Sequence, residues 1–432
     1  MTLPDFILES LSYLVKKLKL PYDTINTELV YDGMLTSVFR VEYIAYGPKI
    51  EETSGDDDEE HENGISFEPR LLKSFIVKCI KTEQRAEYDI VPAFMREFIF
   101  YQKIYPDLAH FQKTRGVKSV FHSGCFRIPK CYKVICNEAD GQYALILQDM
   151  RRSHYFSLGK DEGATLAEAT AVCQALGKFH AVSFAYRDQK PQDFAKYEKL
   201  IDPLYERMSD MEQLITCFLY PRIDEAIECL QPHEEFRKEK LLEFRETVYQ
   251  TILSYVSLED TEDCCVIGHG DSWSQNILFK KIVNGTQCCF MDFQLVRYGS
   301  CILDFVNFIF TSTTAELRNE HYHALTQTYH DSLCAEIREL GSDPEKLFPW
   351  TTFQHHLKRF GGYGLVMAML QMEFIVSDEA REKRISLDEP PPVPQKRRSS
   401  IVPVGLVEKL KKTERQERLA GIVRDIVRLG YI

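Results

Sequence analysis

The sequence lacks three features that would each assign it to a class of protein. It contains no apolar run of about 18 residues, and its first twenty residues alternate charged with apolar positions, so we expect neither a membrane span nor a signal peptide. It has no basic stripe, and we therefore expect no nucleic-acid partner. Its 13 cysteines include no C-x-x-C pair, which is typical of reduced thiols in a cytoplasmic protein.

Acidic residues are unevenly distributed along the chain of 432 residues. The formal net charge is −12, but residues 51–62 alone carry eight acids, so the remainder is only mildly acidic. Residues 46–69 around them show no apolar periodicity and predict a disordered loop, either simply solvated or regulatory. A hydrophobic content of 44% and an aromatic content of 12% indicate that the rest folds around a core.

The chain is organised around two stretches, residues 266–279 and 288–294. They predict a strand, a polar loop and two further strands joined by a turn at Asn284-Gly285. This dipeptide is a strong hairpin signal, because both residues tolerate positive φ. Folding the chain at that turn pairs Ile277 with a residue near position 292.

The predicted hairpin brings three oxygen-bearing side chains to one end of its strands. Asn276 and Asp292 emerge side by side, and Asp271 lies on the loop that leads to the same end, so hard cations are within their reach. His269-x-Asp271, followed by four residues and Asn276, is also the spacing of a kinase catalytic loop. In such loops the Asp takes the proton of the acceptor hydroxyl and the Asn binds Mg²⁺, while a later Asp-Phe pair supplies the main Mg²⁺ ligand.

Five motifs, which together span roughly residues 30–375, resemble the ecdysteroid-kinase-like branch of the choline kinase and aminoglycoside phosphotransferase superfamily. A regulated protein kinase carries Arg where this chain has Gly270 and Gly where it has Gln294, so we expect no activation-loop switch. The motifs are Phe75-Ile-Val-Lys78, Phe94-x-x-Glu97-x-x-Phe100-Tyr101, Leu147-Gln148-Asp149-Met150, Gly177-Lys-Phe-His180-Ala181, and His269-Gly270-Asp271-x-Trp273-x-x-Asn276 with Met291-Asp292-Phe293-Gln294.

The resemblance implies an α+β, two-lobed protein-kinase-like fold with a small antiparallel β lobe and a large α-rich lobe. We expect an ATP-binding lobe at residues 1–147, a catalytic and acceptor-binding lobe at 148–377, a Pro-rich linker at 378–404 and a closing helix at 405–432. The resemblance also implies ATP and Mg²⁺ as cofactors, a small-molecule alcohol as acceptor and an arthropod source. No obligate protein partner is evident from the sequence.

Four residues of the first lobe and the hinge are candidate nucleotide contacts. Lys78 faces inward on an apolar strand, where a buried ammonium group needs an anion such as the ATP phosphates. Glu97, in the middle of an apolar helix face, is its predicted partner, although a surface position for Glu97 is the alternative. Under the resemblance, Gln148 and Met150 belong to the hinge, whose backbone hydrogen-bonds adenine.

Neighbouring segments are predicted from prolines, glycines and acids. Pro92 begins the helix that carries Glu97, and Pro106 ends it. Gly33 lies in a turn that covers the ATP phosphates in the family, but a plain hairpin fits a single glycine equally well. Asp149 either caps the next segment or contacts the nucleotide.

Two polar residues on apolar helices receive structural roles. His180 is interpreted as a satisfied core residue, and the resemblance implies that Asp304 accepts backbone N–H groups of the catalytic loop. Residues 350–374 are rich in Phe and Met, which indicates core or a pliable apolar pocket. Ser399 and Ser400 follow two arginines and are candidate phosphorylation sites.

The predicted function is ATP- and Mg²⁺-dependent phosphorylation of a hydroxyl on a lipophilic alcohol such as an ecdysteroid or a xenobiotic. A quaternary ammonium acceptor calls for an aromatic cage that acids usually help to form, and residues 350–374 contain a single acid, Glu373. The alternative is a catalytically silent pseudokinase that acts as a nucleotide or partner binding module. The presence of every expected catalytic residue favours the enzyme.

Overall fold

A computed structural model describes most of the chain as two compact units. Unit 1 comprises Met1–Lys103 and Pro129–Tyr155, and unit 2 comprises Ile104–Ile128 and Phe156–Ile432. The acidic residues 51–62, the turn at Gly33 and the candidate sites Ser399 and Ser400 lie outside the described residues. The structure describes residues 2–32, 36–48, 67–80, 91–121, 126–159, 162–206, 211–258, 264–371 and 404–432.

Eleven strands are present in the described ranges. They are β1 (Thr24–Asp32), β2 (Thr36–Pro48), β3 (Phe67–Ile80), β4 (Phe126–Arg127), β5 (Cys131–Asn137), β6 (Gln142–Gln148), β7 (Phe156–Ser157), β8 (Cys265–Gly268), β9 (Ile277–Ile282), β10 (Gly285–Phe290) and β11 (Arg297–Ser300).

The helices lie mainly in unit 2. They are α1 (Asp5–Leu18), α2 (Val91–Ile99), α3 (Tyr105–Thr114), α4 (Leu166–Gln189), α5 (Pro191–Phe194), α6 (Pro203–Glu206), α7 (Met211–Leu214), α8 (Tyr220–Cys229), α9 (Glu235–Val256), α10 (Ile302–Ser312), α11 (Ala315–Glu339), α12 (Pro344–Leu347), α13 (Trp350–Phe360), α14 (described over 363–371) and α15 (Val404–Arg428).

Unit 1 is built on an antiparallel sheet with the strand order β1-β2-β3-β6-β5. Helix α1 is amphipathic and buries Ile7, Leu11 and Leu14 against this sheet. The loop predicted at 46–69 is too wide, because Tyr46 pairs with Pro69 and Pro48 with Phe67. A backbone hydrogen-bond ladder needs no apolar side chains, so it continues beyond the point where the apolar pattern stops.

The helix predicted to end at Pro106 has a different end. Helix α2 ends at Ile99, a π-helical turn follows over Phe100–Ile104, and α3 begins at Tyr105 with Pro106 in its first turn. A proline is tolerated there because first-turn N–H groups have no acceptor within the helix. Pro106 therefore marks a helix start, and the prediction of a helix end was wrong.

Unit 2 is helix-rich and carries two small sheets, β4-β10-β9-β7 and β11-β8. Helix α4 begins at a capping box, in which Thr165 and Glu168 bond reciprocally. Helix α15 packs on this unit: Arg318 Nε donates to Asp425 Oδ2 at 2.8 Å, and Leu419 and Ile422 are buried. The predicted α+β class is confirmed.

Within the described ranges, no helix is long and apolar enough to cross a lipid bilayer.

Candidate active site

The hairpin formed by β9 and β10 has the predicted strands but a shifted register. Ile277 pairs with Phe290, two residues before the predicted position. Ile282 pairs with Gly285, so the turn consists of residues 283 and 284, and Gly285 closes it with φ of +139°. Asn284 has no positive φ. Strand β10 therefore begins at Gly285, and within the Asn284-Gly285 pair only Gly285 adopts a positive φ.

The register brings Asn276 and Asp292 together. Met291 N–H donates to the Asn276 carbonyl at 2.9 Å, which fixes the residue before β9 beside the residue after β10. Asp292 has φ of +64°, a left-handed conformation that is uncommon outside glycine. Such backbone strain persists where the surrounding structure enforces it, and it is concentrated at functional sites.

Asp271 is held by side-chain amides at both of its carboxylate oxygens. Asn276 Nδ2 donates to Asp271 Oδ2 at 2.8 Å and to the Asp271 carbonyl at 2.9 Å. Gln371 Nε2 donates to Asp271 Oδ1 at 3.4 Å. Burial, and then the charge of Asp292, raise the pKa of Asp271 to about 7, against the hydrogen bond from Asn276 and the charge of Arg297. The negative charge of Asp292 therefore acts on the Asp271 carboxyl group.

Asp304 braces the catalytic loop as the family resemblance implies. Its Oδ2 accepts from His269 N–H at 2.5 Å and its Oδ1 from Gly270 N–H at 2.9 Å, while Ser272 Oγ donates to its carbonyl at 2.8 Å. Burial alone would raise the pKa of Asp304, but the hydrogen bond and charge of His180 and the charge of Arg297 hold it well below its usual range. Asp304 is therefore an ionised, fully buried support for the loop.

His180 is the satisfied core residue that the sequence predicts. It is fully buried, with Nδ1 2.6 Å from the Tyr329 hydroxyl and Nε2 3.2 Å from Asp304 Oδ2. The contact with Tyr329 fixes the imidazole ring, and the ring in turn orients the Asp304 carboxylate. The role of His180 is therefore structural.

Arg297 is a residue of the site that the sequence reasoning missed. It is buried, lies 3.0 Å from Asp202 Oδ2, and donates to the Tyr363 hydroxyl at 2.9 Å and to the Gly270 carbonyl at 3.4 Å. Its Nη2 lies 3.7 Å from Asp304 Oδ1. An available signal was its position between apolar residues on a short strand, the same pattern that singled out Lys78.

In unit 1, the predicted ion pair is present. Lys78 Nζ lies 2.8 Å from Glu97 Oε2, and both side chains are buried. The alternative of a surface position for Glu97 is therefore wrong. Gln148 ends β6 and its N–H donates to the Lys130 carbonyl at 2.9 Å, while Met150 is buried at the start of a 3₁₀ turn.

Asp149 takes the capping role among its two alternatives. Its Oδ1 accepts from the backbone N–H of Arg151 at 3.1 Å, and its Oδ2 accepts from Ser74 Oγ at 2.8 Å. Arg40 Nε lies 3.3 Å from Oδ2. With these partners the buried carboxylate is compensated inside unit 1 and needs no ligand to account for it.

The side-chain oxygen atoms of Asn276 and Asp292 are suitable ligands for a magnesium ion. Both Asn276 amide bonds to Asp271 use Nδ2, so the carbonyl half of the amide points away from Asp271. A carboxylate and an amide oxygen are hard ligands, and Mg²⁺ typically takes one or two of these and completes its shell with phosphate and water. Among the residues the structure describes, no group of three or more His, Cys, Asp or Glu side chains could hold a metal ion.

A buried ion pair of Lys and Glu, and a loop that carries an Asp and an Asn and is followed by a second Asp, are recurrent features of kinase-like phosphotransferases. The model of the ecdysteroid kinase-like family matches residues 31–342, and the chain belongs to this family. Membership supports its assignment as a small-molecule kinase.

Several solved structures are similar at low identity. An ethanolamine kinase of Plasmodium vivax is 13% identical, with a TM-score of 0.38 over 85% of this chain and 82% of its own. A microcompartment-associated aminopropanol kinase is 12% identical, with a TM-score of 0.39 over 98% of this chain and 99% of its own. The GDP complex of an aminoglycoside 2'-phosphotransferase is 13% identical, with a TM-score of 0.37 over 87% and 99%. No curated protein matches the chain.

Proposed function

We propose that this protein transfers the γ-phosphoryl group of ATP to a hydroxyl of a small lipophilic alcohol, with Mg²⁺ as cofactor. The main observation behind the proposal is that Asp271, Asn276 and Asp292 lie at one end of the same hairpin. The Asn276 amide donates to Asp271, and the Asn276 carbonyl accepts from the N–H of Met291, which precedes Asp292. A packing role would not explain why a base and two hard ligands meet at one end of these strands.

Asp271 orients the acceptor hydroxyl and takes its proton. The acceptor oxygen forms a bond to the γ-phosphorus, and the bond from that phosphorus to the bridging oxygen breaks, so ADP leaves with the electron pair. Asn276 and Asp292 would hold Mg²⁺, which when bound neutralises phosphate charge. Catalysis by this chain is then mainly positioning and electrostatic stabilisation.

Lys78 supplies the positive charge for the nucleotide phosphates, and Glu97 holds its ammonium group in place at 2.8 Å. Met150 and Gln148 are proposed to present backbone groups to adenine. The Gln148 N–H already donates to Lys130, so a contact from Gln148 would use another group.

The acceptor is proposed to be a neutral, bulky alcohol, with ecdysteroids first and plant or xenobiotic alcohols next. The support is family membership and the absence of acids from residues 350–371. Among the aromatic and Met side chains of α13 and α14, Trp350 is partly exposed, and the Phe, Tyr and Met side chains are buried, which favours their interpretation as core. Phosphorylation would add charge to such a compound and block its passage across membranes, and would thereby inactivate or store it. We propose a cytoplasmic location, because the 13 cysteines include no C-x-x-C pair and are typical of reduced thiols.

The test is ADP release by the purified full-length chain, with and without Mg²⁺, over a panel of hydroxysteroids, plant alcohols, choline and ethanolamine. Mg²⁺-dependent turnover of a hydroxysteroid, lost in Asp271→Asn, is the expected result. Nucleotide binding without turnover of any alcohol would favour the pseudokinase. Preference for choline or ethanolamine would overturn the proposed acceptor class and leave the reaction intact.

A further inference from the structure

Gln371 connects the base Asp271 to a buried amide on another helix. It is the last described residue of α14 and is only 6% exposed. Its Nε2 donates to Asp271 Oδ1 at 3.4 Å and to Asn307 Oδ1 at 3.3 Å. Asn307, on α10, is completely buried. The Gln371 amide on α14 therefore links Asp271 to the Asn307 amide on α10.

The two oxygens of the Asp271 carboxylate have different donors. Asn276 Nδ2 donates to Oδ2, and within the described chain Gln371 is the one donor to Oδ1. The torsion about the last bond of an Asp side chain has a broad minimum, so a carboxylate held at one oxygen still rotates. A second donor fixes its plane, and phosphoryl transfer depends on such positioning.

The amides at 307 and 371 are retained at an energetic cost. Asn307 Nδ2 and Gln371 Oε1 are both buried, and neither has a hydrogen-bond partner among the residues that the structure describes. Unpaired buried polar atoms destabilise a fold, and a side chain needed only for packing would be apolar here, as its neighbours Met369 and Leu370 are. The contact to Asp271 accounts for the amide.

We propose that Gln371 is a positioning residue for the base, which holds Asp271 Oδ1 in the plane that meets the acceptor hydroxyl, and that Asn307 holds Gln371 in turn. The inference rests on the proposed function, because it concerns the same base. Gln371 acts through Asp271 and has no role in binding the metal or the phosphates.

Gln371→Met tests this role, because it keeps the length of the side chain and removes both amide atoms. We expect kcat to fall by about 10–100-fold, a range typical for the loss of a supporting hydrogen bond at a site, while KM for ATP stays within about twofold. The melting temperature should change little, because the removal of one unpaired oxygen offsets part of the cost of leaving Asp271 Oδ1 and Asn307 Oδ1 without this donor. Leu370→Met, a neighbouring buried residue without a polar group, is the control and should leave kcat and KM unchanged.

A second variant covers the case in which Gln371→Met does not fold. Gln371→Asn keeps the amide but shortens its reach by one carbon, and it should lower kcat in the same direction. A purely structural residue would instead lose stability and activity together. Turnover of a folded Gln371 variant within threefold of the parent, or a rise in the KM for ATP that accounts for the whole loss, would overturn the proposal.

The outcomes separate this inference from the proposed function. If Asp271→Asn is inactive while Gln371→Met matches the parent, only the role of Gln371 is wrong. If Asp271→Asn turns over like the parent, the proposed base is wrong and the role of Gln371 falls with it.

Discussion

Gly270 lies against Leu295 so closely that a β-carbon at position 270 would stand 1.9 Å from the Leu295 carbonyl oxygen. Its φ of +89° is also unfavourable for any residue with a side chain. The place at which a regulated protein kinase carries Arg therefore has no room for one in this chain. Arg297 donates instead to the Gly270 carbonyl from β11, so a buried cation still supports the loop.

Gly270→Ala should lower the free energy of unfolding by about 3 kcal/mol or more, because the clash with backbone adds to the strain of positive φ. Gly116→Ala is the matched control: it also has positive φ, at +72°, but nothing lies within 4 Å of its added carbon. Its cost should be about 1–2 kcal/mol. Equal costs in urea denaturation would contradict the close contact.

Asp292→Ala should weaken Mg²⁺-dependent ATP binding by about tenfold or more, because the main metal ligand is lost. Binding measured in EDTA should change little. Asp271→Asn is the comparison, and it should bind ATP with Mg²⁺ like the parent since it keeps both ligands. An unaltered Mg²⁺ titration in Asp292→Ala would show that the metal is held elsewhere.

The Lys78–Glu97 pair should show strong coupling in a double-mutant cycle. Glu97→Gln leaves a buried ammonium without its counter-charge and should cost about 3 kcal/mol in the free energy of unfolding. Lys78→Met combined with Glu97→Gln should recover part of this loss, because neither charge then remains. Costs that simply add would mean that the two groups do not interact in solution.

Glu234 provides a prediction for pH. The hydrogen bond from Arg424, opposed by burial and helped by the Gln231 N–H, lowers the pKa of Glu234 to about 2. A lowered pKa in the folded state means that the stabilisation is complete above the ordinary pKa of about 4.5 and is lost as the pH falls toward 2. Glu234→Gln should therefore cost about 1–2 kcal/mol at pH 7 and less at pH 3.5.

The control for this pH series is Glu243→Gln, which removes an exposed carboxylate that lies 2.6 Å from Lys240 Nζ. Its effect on the free energy of unfolding should be small at both pH values. A gap between Glu234→Gln and the parent that stays constant from pH 7 to pH 3.5 would contradict the ionised contact with Arg424.

Local patterns in the sequence predicted those parts of the site that are adjacent in the chain or supported by the family motifs. The hairpin that unites Asn276 with Asp292 is local. Its predicted register was wrong by two residues because the two turn residues are 283 and 284, and Gly285 is the first residue of β10. Arg297 and Gln371 reach Asp271 and its loop through tertiary packing, and Gln371 is 100 residues away from the base. No periodicity in one sequence records such a contact.

Asp271 is the proposed base of a Mg²⁺-dependent phosphoryl transfer. The most direct measurement compares the parent and Asp271→Asn in two assays on the same samples, ATP·Mg²⁺ affinity and the rate of phosphate transfer to a hydroxysteroid. We expect Asp271→Asn to bind ATP·Mg²⁺ with unchanged affinity and to show a kcat lower by about 100-fold or more, because a general base contributes on that scale. Turnover of Asp271→Asn within tenfold of the parent would contradict it.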